Sequence, residues 1–272
     1  MKLSRIFLLA VLPLSAISII LMSIACVSAY DPDVSNYFSR GNPLPVLAIV
    51  FACFAVAAGI AGALLSKHRE VFFEKPLSPS FIPFPSAVGC LIGSILLFAA
   101  KVPIAGILFL LTAGFFVLTV CPFAKRYASL ILWAGFASVA ATILLNATYY
   151  FDMTVEMNAP IKVLLQMGLL AAMLDCTVEM RVLIDRTDSF ATPILTTFTV
   201  TLCGLSSIPA LIAQIGGKLP GLVYFAAVPV LLGFFVTALI RLCHMIFTPV
   251  QNASTPESAN PENKTEEERT EE

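Results

Sequence analysis

The chain has 272 residues, of which 58% are hydrophobic and 12% charged, and its mean hydropathy is +0.92. That leaves too few polar groups to cover a soluble domain of this length, so the bilayer is the expected solvent. Formal net charge is −1, with seven of the seventeen acidic residues beyond Gln251. The Lys and Arg of the body sit mainly at the ends of apolar stretches, which excludes a nucleic-acid footprint.

A hydrocarbon core of about 30 Å takes about 20 helical residues to cross. On that ruler eight spans are predicted, over residues 6–27, 44–66, 84–100, 104–123, 127–151, 162–184, 194–215 and 221–247. The expectation is an all-α polytopic membrane helix bundle over residues 1–247, followed by an acidic tail over 248–272. That tail is rich in Pro, Asn, Ser and Thr and is expected to be disordered.

Lys2 and Arg5 precede the first span, and Val27-Ser28-Ala29 resembles a small-residue cleavage site. Its apolar run is longer than the roughly 7 to 15 residues of a cleaved signal, so the span is expected to stay as a helix. The connection over 67–86 carries Phe72, Phe73, Phe81 and Phe84 among Pro76, Pro79, Pro83 and Pro85, and is not a regular helix throughout. It either lies along the headgroups or, with the tail, docks a protein partner. Only Lys101-Val102-Pro103 parts spans three and four, which leaves a tight hairpin or one long broken helix.

Cytoplasmic loops retain Lys and Arg, and short translocated loops lack them. With the N-terminus inside, one side receives Lys2, Arg5, Lys67, Arg69, Lys75, Lys125, Arg126, Arg181, Arg186 and Arg241, against Arg40, Lys101, Lys162 and Lys218 on the other. Ten against four favours eight spans with both termini in the cytoplasm, and a bacterial cytoplasmic membrane as the location. Tyr127 and Trp133 mark the inner end of span five, Tyr149 and Tyr150 its outer end.

Span six carries the chemistry. Asp175 and Glu179 lie four residues apart, on one face of a helix otherwise able to cross the membrane. An acidic residue at a helix centre costs about 2.5 to 3.5 kcal/mol on insertion scales, so it faces protein or a watery cavity. Gly168, Ala172 and Cys176 lie in or beside that stripe, small enough for a neighbouring helix to approach. Counting the helical rise inward from the span ends puts Thr201 and Cys203 of span seven level with Asp175.

The candidate intramembrane polar site is therefore Asp175, Glu179, Thr201 and Arg181, with Asp175 the deeper carboxylate. The competing expectation is structural. Glu179 pairs with Arg181 or a neighbouring helix, Arg181 reaches the headgroups, and the hydroxyls of span seven bond their own backbone. Asn146, Gln166 and Gln214 bond neighbouring helices or line an outer vestibule. The seven cysteines read as small buried hydrophobes, with no CxxC pair.

His68 and His244 are the only histidines, and neither belongs to an HExxH or other metal-ligand pattern. Gly216-Gly217-Lys218 lacks the spacing of a phosphate loop. No catalytic residue, cofactor or metal is assigned, and an enzyme is not expected.

Tyr150-Phe151-Asp152-Met153-Thr154, with Met157-Asn158, Pro160, Lys162 and Glu179-Met180-Arg181, resembles multi-pass membrane proteins of anaerobic Gram-positive bacteria. The resemblance covers about a fifth of the chain and implies no activity. In that comparison Asp175 departs from a usually apolar position. Two functions remain open: a small-solute or ion permease coupled through Asp175 or Glu179, and a non-transporting membrane regulator or assembly partner.

Overall fold

The computed structural model describes residues 3–31, 37–39, 41–66, 81–121, 126–184, 191–219 and 221–247. Its eight helices are α1 (Leu3–Ser28), α2 (Leu44–Ser66), α3 (Phe84–Ala99), α4 (Pro103–Val120), α5 (Ala128–Phe151), α6 (Pro160–Leu183), α7 (Ala191–Ile215) and α8 (Leu222–Phe247). A two-residue antiparallel pair, β1 (Tyr30–Asp31) with β2 (Tyr37–Phe38), lies between α1 and α2. Seven helices are long and apolar enough to cross a membrane, which makes this a polytopic helical bundle and a multi-pass membrane protein whose surface partner is lipid. The sixteen residues of α3 rise about 24 Å, short of a full crossing.

Successive helices alternate in direction. Ser18 of α1 donates to Ala48 O at 2.7 Å near one end of α2, and Gly62 packs on Leu8 and Ser4 at the other. Ser15 of α1 bonds Thr201 at 3.0 Å and Ile19 meets Gly204, so α1 and α7 run parallel. Ser86 of α3 contacts Thr237 of α8, and Gly93 contacts Val230, which makes that pair antiparallel. The start of α1 and the end of α8 share one apolar cluster, through Leu8, Val11, Leu242 and Ile246. Both ends of the helical body thus lie on one side of the bundle.

Spans three and four are two helices, not one. Lys101 takes φ +61°, donating its N–H to Phe98 O, while Val102 N–H reaches Leu97 O at 2.9 Å. This pair of bonds is the Schellman closure of a helix end, here with a lysine in place of the usual glycine. Pro103 then cannot continue α3 and opens α4. Ser94 Oγ bonds Gly106 O at 2.7 Å across the hairpin.

The core is the α6, α7, α8 group, flanked by α1 and α2 against α7, and by α3, α4 and α5 against α8 and α6. Inside a bilayer, apolar surface gives no net drive for helix association, so close packing and polar bonds must supply it. Gly168 shows how: a Cβ there would run into Ser206 Oγ of α7 and stand 2.9 Å from Leu231 of α8. Only a glycine lets three helices meet at that point.

The first span is built into this core. Beyond the Ser15 bond, Lys218 donates its ammonium to the carbonyls of Val27 at 3.0 Å and Tyr30 at 2.7 Å, at the negative end of α1. Of the aromatic markers on α5, Tyr127, Trp133 and Tyr150 are exposed. Tyr149 corrects the sequence-based expectation: it is fully buried, donates to Val223 O at 2.9 Å and stacks on Tyr224 at 4.7 Å. Cys26, Cys90, Cys176 and Cys203 are buried free thiols, while Cys53 is exposed. The tail over 248–272 and residues 67–80 of the aromatic, proline-rich connection lie outside the described residues, as do half of the cations used to orient the bundle.

Candidate functional site

Asp175 and Glu179 face inward from α6, 0% and 4% exposed, and they meet Arg241 of α8, which is 3% exposed. Arg241 Nη1 donates to Asp175 Oδ1 at 2.7 Å, and its Nη2 donates to Glu179 Oε1. The geometry follows from local structure. Four residues apart on α6, the two carboxylates stack one turn above the other, and parallel α8 presents a guanidinium whose two nitrogens span them. Arg241 stands six residues before the end of α8, about 9 Å in along the axis.

Of the two kinds of partner expected for Glu179, the neighbouring helix α8 supplies one in Arg241, while Arg181, two residues along α6, lies on a different face and is exposed. Arg241, counted among the charges of the inner surface, is instead buried against α6. Its signal was present in the sequence: an arginine inside a run otherwise able to span needs an acidic partner at its own depth.

Thr201 is not brought to the carboxylates. It turns to α1 and bonds Ser15. The α6 and α7 pair is set by Cys203 Sγ donating to Gly168 O at 3.4 Å and by Thr199 Oγ1 reaching Ala171 O at 3.4 Å. The same antiparallel register, carried one turn further, sets Thr196 level with Asp175 and Thr192 level with Glu179. Helix α7 begins at Ala191, three residues before the expected start at 194, and this moves the hydroxyl partner toward the N-terminus.

Most hydroxyls of α7 bond their own helix, as Thr197 does with Pro193 O at 2.8 Å and Ser207 with Cys203 O at 2.6 Å. Thr196 is the exception at the charge cluster: its Oγ1 is buried with no hydrogen-bond partner. Asp175 Oδ2 is buried and unpartnered in the same way. Asn146 Nδ2 bonds Gln166 O at 3.3 Å, which makes it a tie between α5 and α6.

The opposite side of the bundle has a second polar network, in the loop between α5 and α6. Asp152 accepts from the Thr154 hydroxyl and backbone N–H at 2.7 and 2.9 Å, and from the Tyr224 hydroxyl at 2.7 Å. Burial by itself would push its carboxyl up, but these bonds, with the Lys162 charge, hold it below its ordinary 3.8. Lys162 is itself buried, with its ammonium on the carbonyls of Asp152 and Val155 at 2.7 and 3.1 Å.

Among the described residues no group of three or more His, Cys, Asp or Glu side chains is placed to hold a metal ion. What the α6 and α8 cluster offers chemically is charge: two buried carboxylates bonded by one guanidinium, with Asp175 Oδ2 without a hydrogen-bond partner. No protein-family model matches the chain, and no curated protein or solved structure matches it either.

Proposed function

We propose that the protein is a small-solute or ion permease of a bacterial cytoplasmic membrane, in which α6, α7 and α8 line the path and the cluster at Asp175 takes up the coupling ion. The observation that supports this is a buried pair of carboxylates sharing the Arg241 guanidinium, with Asp175 Oδ2 left without a hydrogen-bond partner. Breaking or leaving uncompensated a buried ion pair costs several kcal/mol, and intramembrane carboxylates mark ion and proton pathways. Asp175 Oδ2, buried and without a partner, is the atom that would take an exchangeable cation or proton. Pro209 in α7 and Pro229 in α8 interrupt the backbone ladders of two of the three helices, as helices that bend or open in transporters do. The cytoplasmic placement of the cluster's side rests on the loop charges.

The test is flux through proteoliposomes carrying a trapped pH indicator, under an imposed membrane potential and against a panel of small organic and inorganic solutes. Solute-dependent proton or ion movement that is lost in Asp175→Asn, with the variant still monodisperse, is the expected result. Equal leak with wild type, variant and protein-free vesicles ends the proposal.

A second reading is a non-transporting regulator or assembly partner. It is favoured by the pairing itself, since Arg241 bonds both carboxylates and so clamps α8 to α6 inside a close-packed core. It expects a stoichiometric partner on mild-detergent purification and unchanged behaviour of Asp175→Asn.

A further inference from the structure

We infer that the bundle thins the bilayer on its α3 and α4 side, drawing the headgroups of the leaflet at the end of α8 inward to the start of α3. This property stands apart from the permease reading and holds with or without transport.

The two sides of the bundle offer lipid belts of different height. On one side α1 and α2 have 26 and 23 residues, a rise of about 39 and 35 Å, and expose apolar side chains from Leu3 to Val27 and from Val46 to Leu65. On the other, α3 and α4 have 16 and 18 residues, a rise of about 24 and 27 Å, and expose them only from Phe84 to Phe98 and from Ile104 to Val117. The belt of α3 is thus about 21 Å high, against about 29 Å for α2. The turn in which Phe84 N–H reaches Phe81 O adds at most one helical pitch to it, about 5 Å. Beside a hydrocarbon core of about 30 Å, α3 falls short by about 4 to 9 Å.

The shortfall lies at one end. Ser86 donates its N–H and its hydroxyl to Thr237 Oγ1 at 3.2 and 2.8 Å, and Gly93 packs on Val230. In that register Ala99 is level with the first turn of α8 and Phe84 with Leu239, so α8 runs on for about eight residues, or about 12 Å, past the start of α3. Gly233, Thr237 and Arg241 follow at four-residue steps on one stripe of α8. Helix α3 meets the first two and stops before the level of the third. Charges inside a membrane helix are tolerated where the bilayer thins toward them, and the Arg241 cluster begins where α3 ends.

A short helix meets a thicker bilayer in few ways. Tilting only shortens its projection. Sliding toward the near leaflet would break the Ser86 bonds and move Gly89 off its backbone contact with Gly233. The described residues at that end are Phe81, Ile82, Pro83 and Phe84, with no long charged side chain among them to reach out to the headgroups. Thinning is the response left to a single copy.

The test is depth-dependent tryptophan quenching in the full-length protein, reconstituted in oleoyl-chain phosphatidylcholine with bromine at successive chain positions. Trp133 is the single tryptophan, and Trp133→Phe clears the background. Phe84→Trp reports the start of α3. Phe54→Trp reports the lipid face of α2 at the same level of the bundle to within about 3 Å, since Gly204 packs on Phe235 and Gly59 on Thr197. The tryptophan at 84 is expected to lie nearer the headgroups than the one at 54 by about 4 to 9 Å, with the difference shrinking in myristoleoyl chains, whose thinner bilayer matches α3. Equal depths in the oleoyl bilayer mean a flat membrane and overturn the thinning. A tryptophan at 84 that bromine at no depth quenches also overturns it, because a second copy or another segment of the chain then covers that face. If Phe84→Trp lowers the yield of monodisperse protein, Val88→Trp, one turn further along α3, against Val50→Trp of α2 makes the same comparison. Depths as expected leave the thinning in place whether or not the vesicles show flux, so the two readings fail separately.

Discussion

Replacing Arg241 by methionine keeps most of the side-chain volume and removes a cation that Asp175 and Glu179 share. Arg241 is 3% exposed and makes two charge-assisted hydrogen bonds, one at 2.7 Å to Asp175 and one to Glu179. At about 1.5 to 3 kcal/mol for each bond to a charged group, their loss comes to about 3 to 6 kcal/mol. The cost of breaking a buried pair by deleting one partner, about 3 to 5 kcal/mol, falls in the same range. The larger part of it is the stranding of the carboxylates, so the cost should depend on their charge. In an Asp175→Asn, Glu179→Gln background the same Arg241→Met change should cost less than about 1.5 kcal/mol, because two neutral amides remain. Reversible unfolding in mixed micelles, measured for the four proteins of this cycle, gives the coupling. A cost below about 1 kcal/mol, the range of an exposed pair, or an equal cost in both backgrounds, refutes the reasoning.

Gly168→Val should cost about 1 to 3 kcal/mol or more by forcing α6 off α7 and α8, where Ser206 and Leu231 already occupy the space; a thermal midpoint equal to wild type contradicts that packing. Lys218→Met removes the cation from the carbonyl end of α1 and should lower stability by about 1 to 2 kcal/mol, with faster amide exchange just past Ser28. Exchange at Ala29 and Tyr30 that does not change would show that the lysine does not hold that end. For Asp152 the folded carboxyl is depressed, so its contribution is present above the ordinary value of 3.8 and is lost as pH falls through the lower folded value. Asp152→Asn should therefore be less stable than wild type at neutral pH, with the difference closing below about pH 4; a difference independent of pH contradicts the sign.

The bundle could be read from hydropathy because each crossing needs its own apolar run, and the observed helix limits fall within a few residues of those expected. The hairpin at Lys101 was expected beside a single broken helix, and the choice between them was not legible, since a left-handed lysine is set by the closing bonds to Leu97 and Phe98 and not by residue type. The acidic pair was visible from its four-residue spacing on α6. Arg241 carried a signal of its own, as an arginine inside an apolar run, but which helix answers it is decided only once α8 is placed parallel to α6. Thr201 was displaced because sequence does not fix helix register across a loop: a start of α7 three residues early supplies part of the five-residue shift that leaves Thr196 level with Asp175. The stretch from Tyr150 to Lys162, singled out for its resemblance, became the loop network around Asp152 and Tyr224, a contact between distant segments that no local pattern reports.

A charge swap would decide whether α6 and α8 are joined as described. Glu179→Arg alone and Arg241→Glu alone should each yield little monodisperse protein, because each places like charges together out of water. The double variant should recover a monodisperse peak and most of the wild-type thermal midpoint, since the opposite charges again face each other across the same two helices. Tolerance of either single variant, or a double variant no better than the worse single one, would contradict the buried cluster on which the proposed function stands.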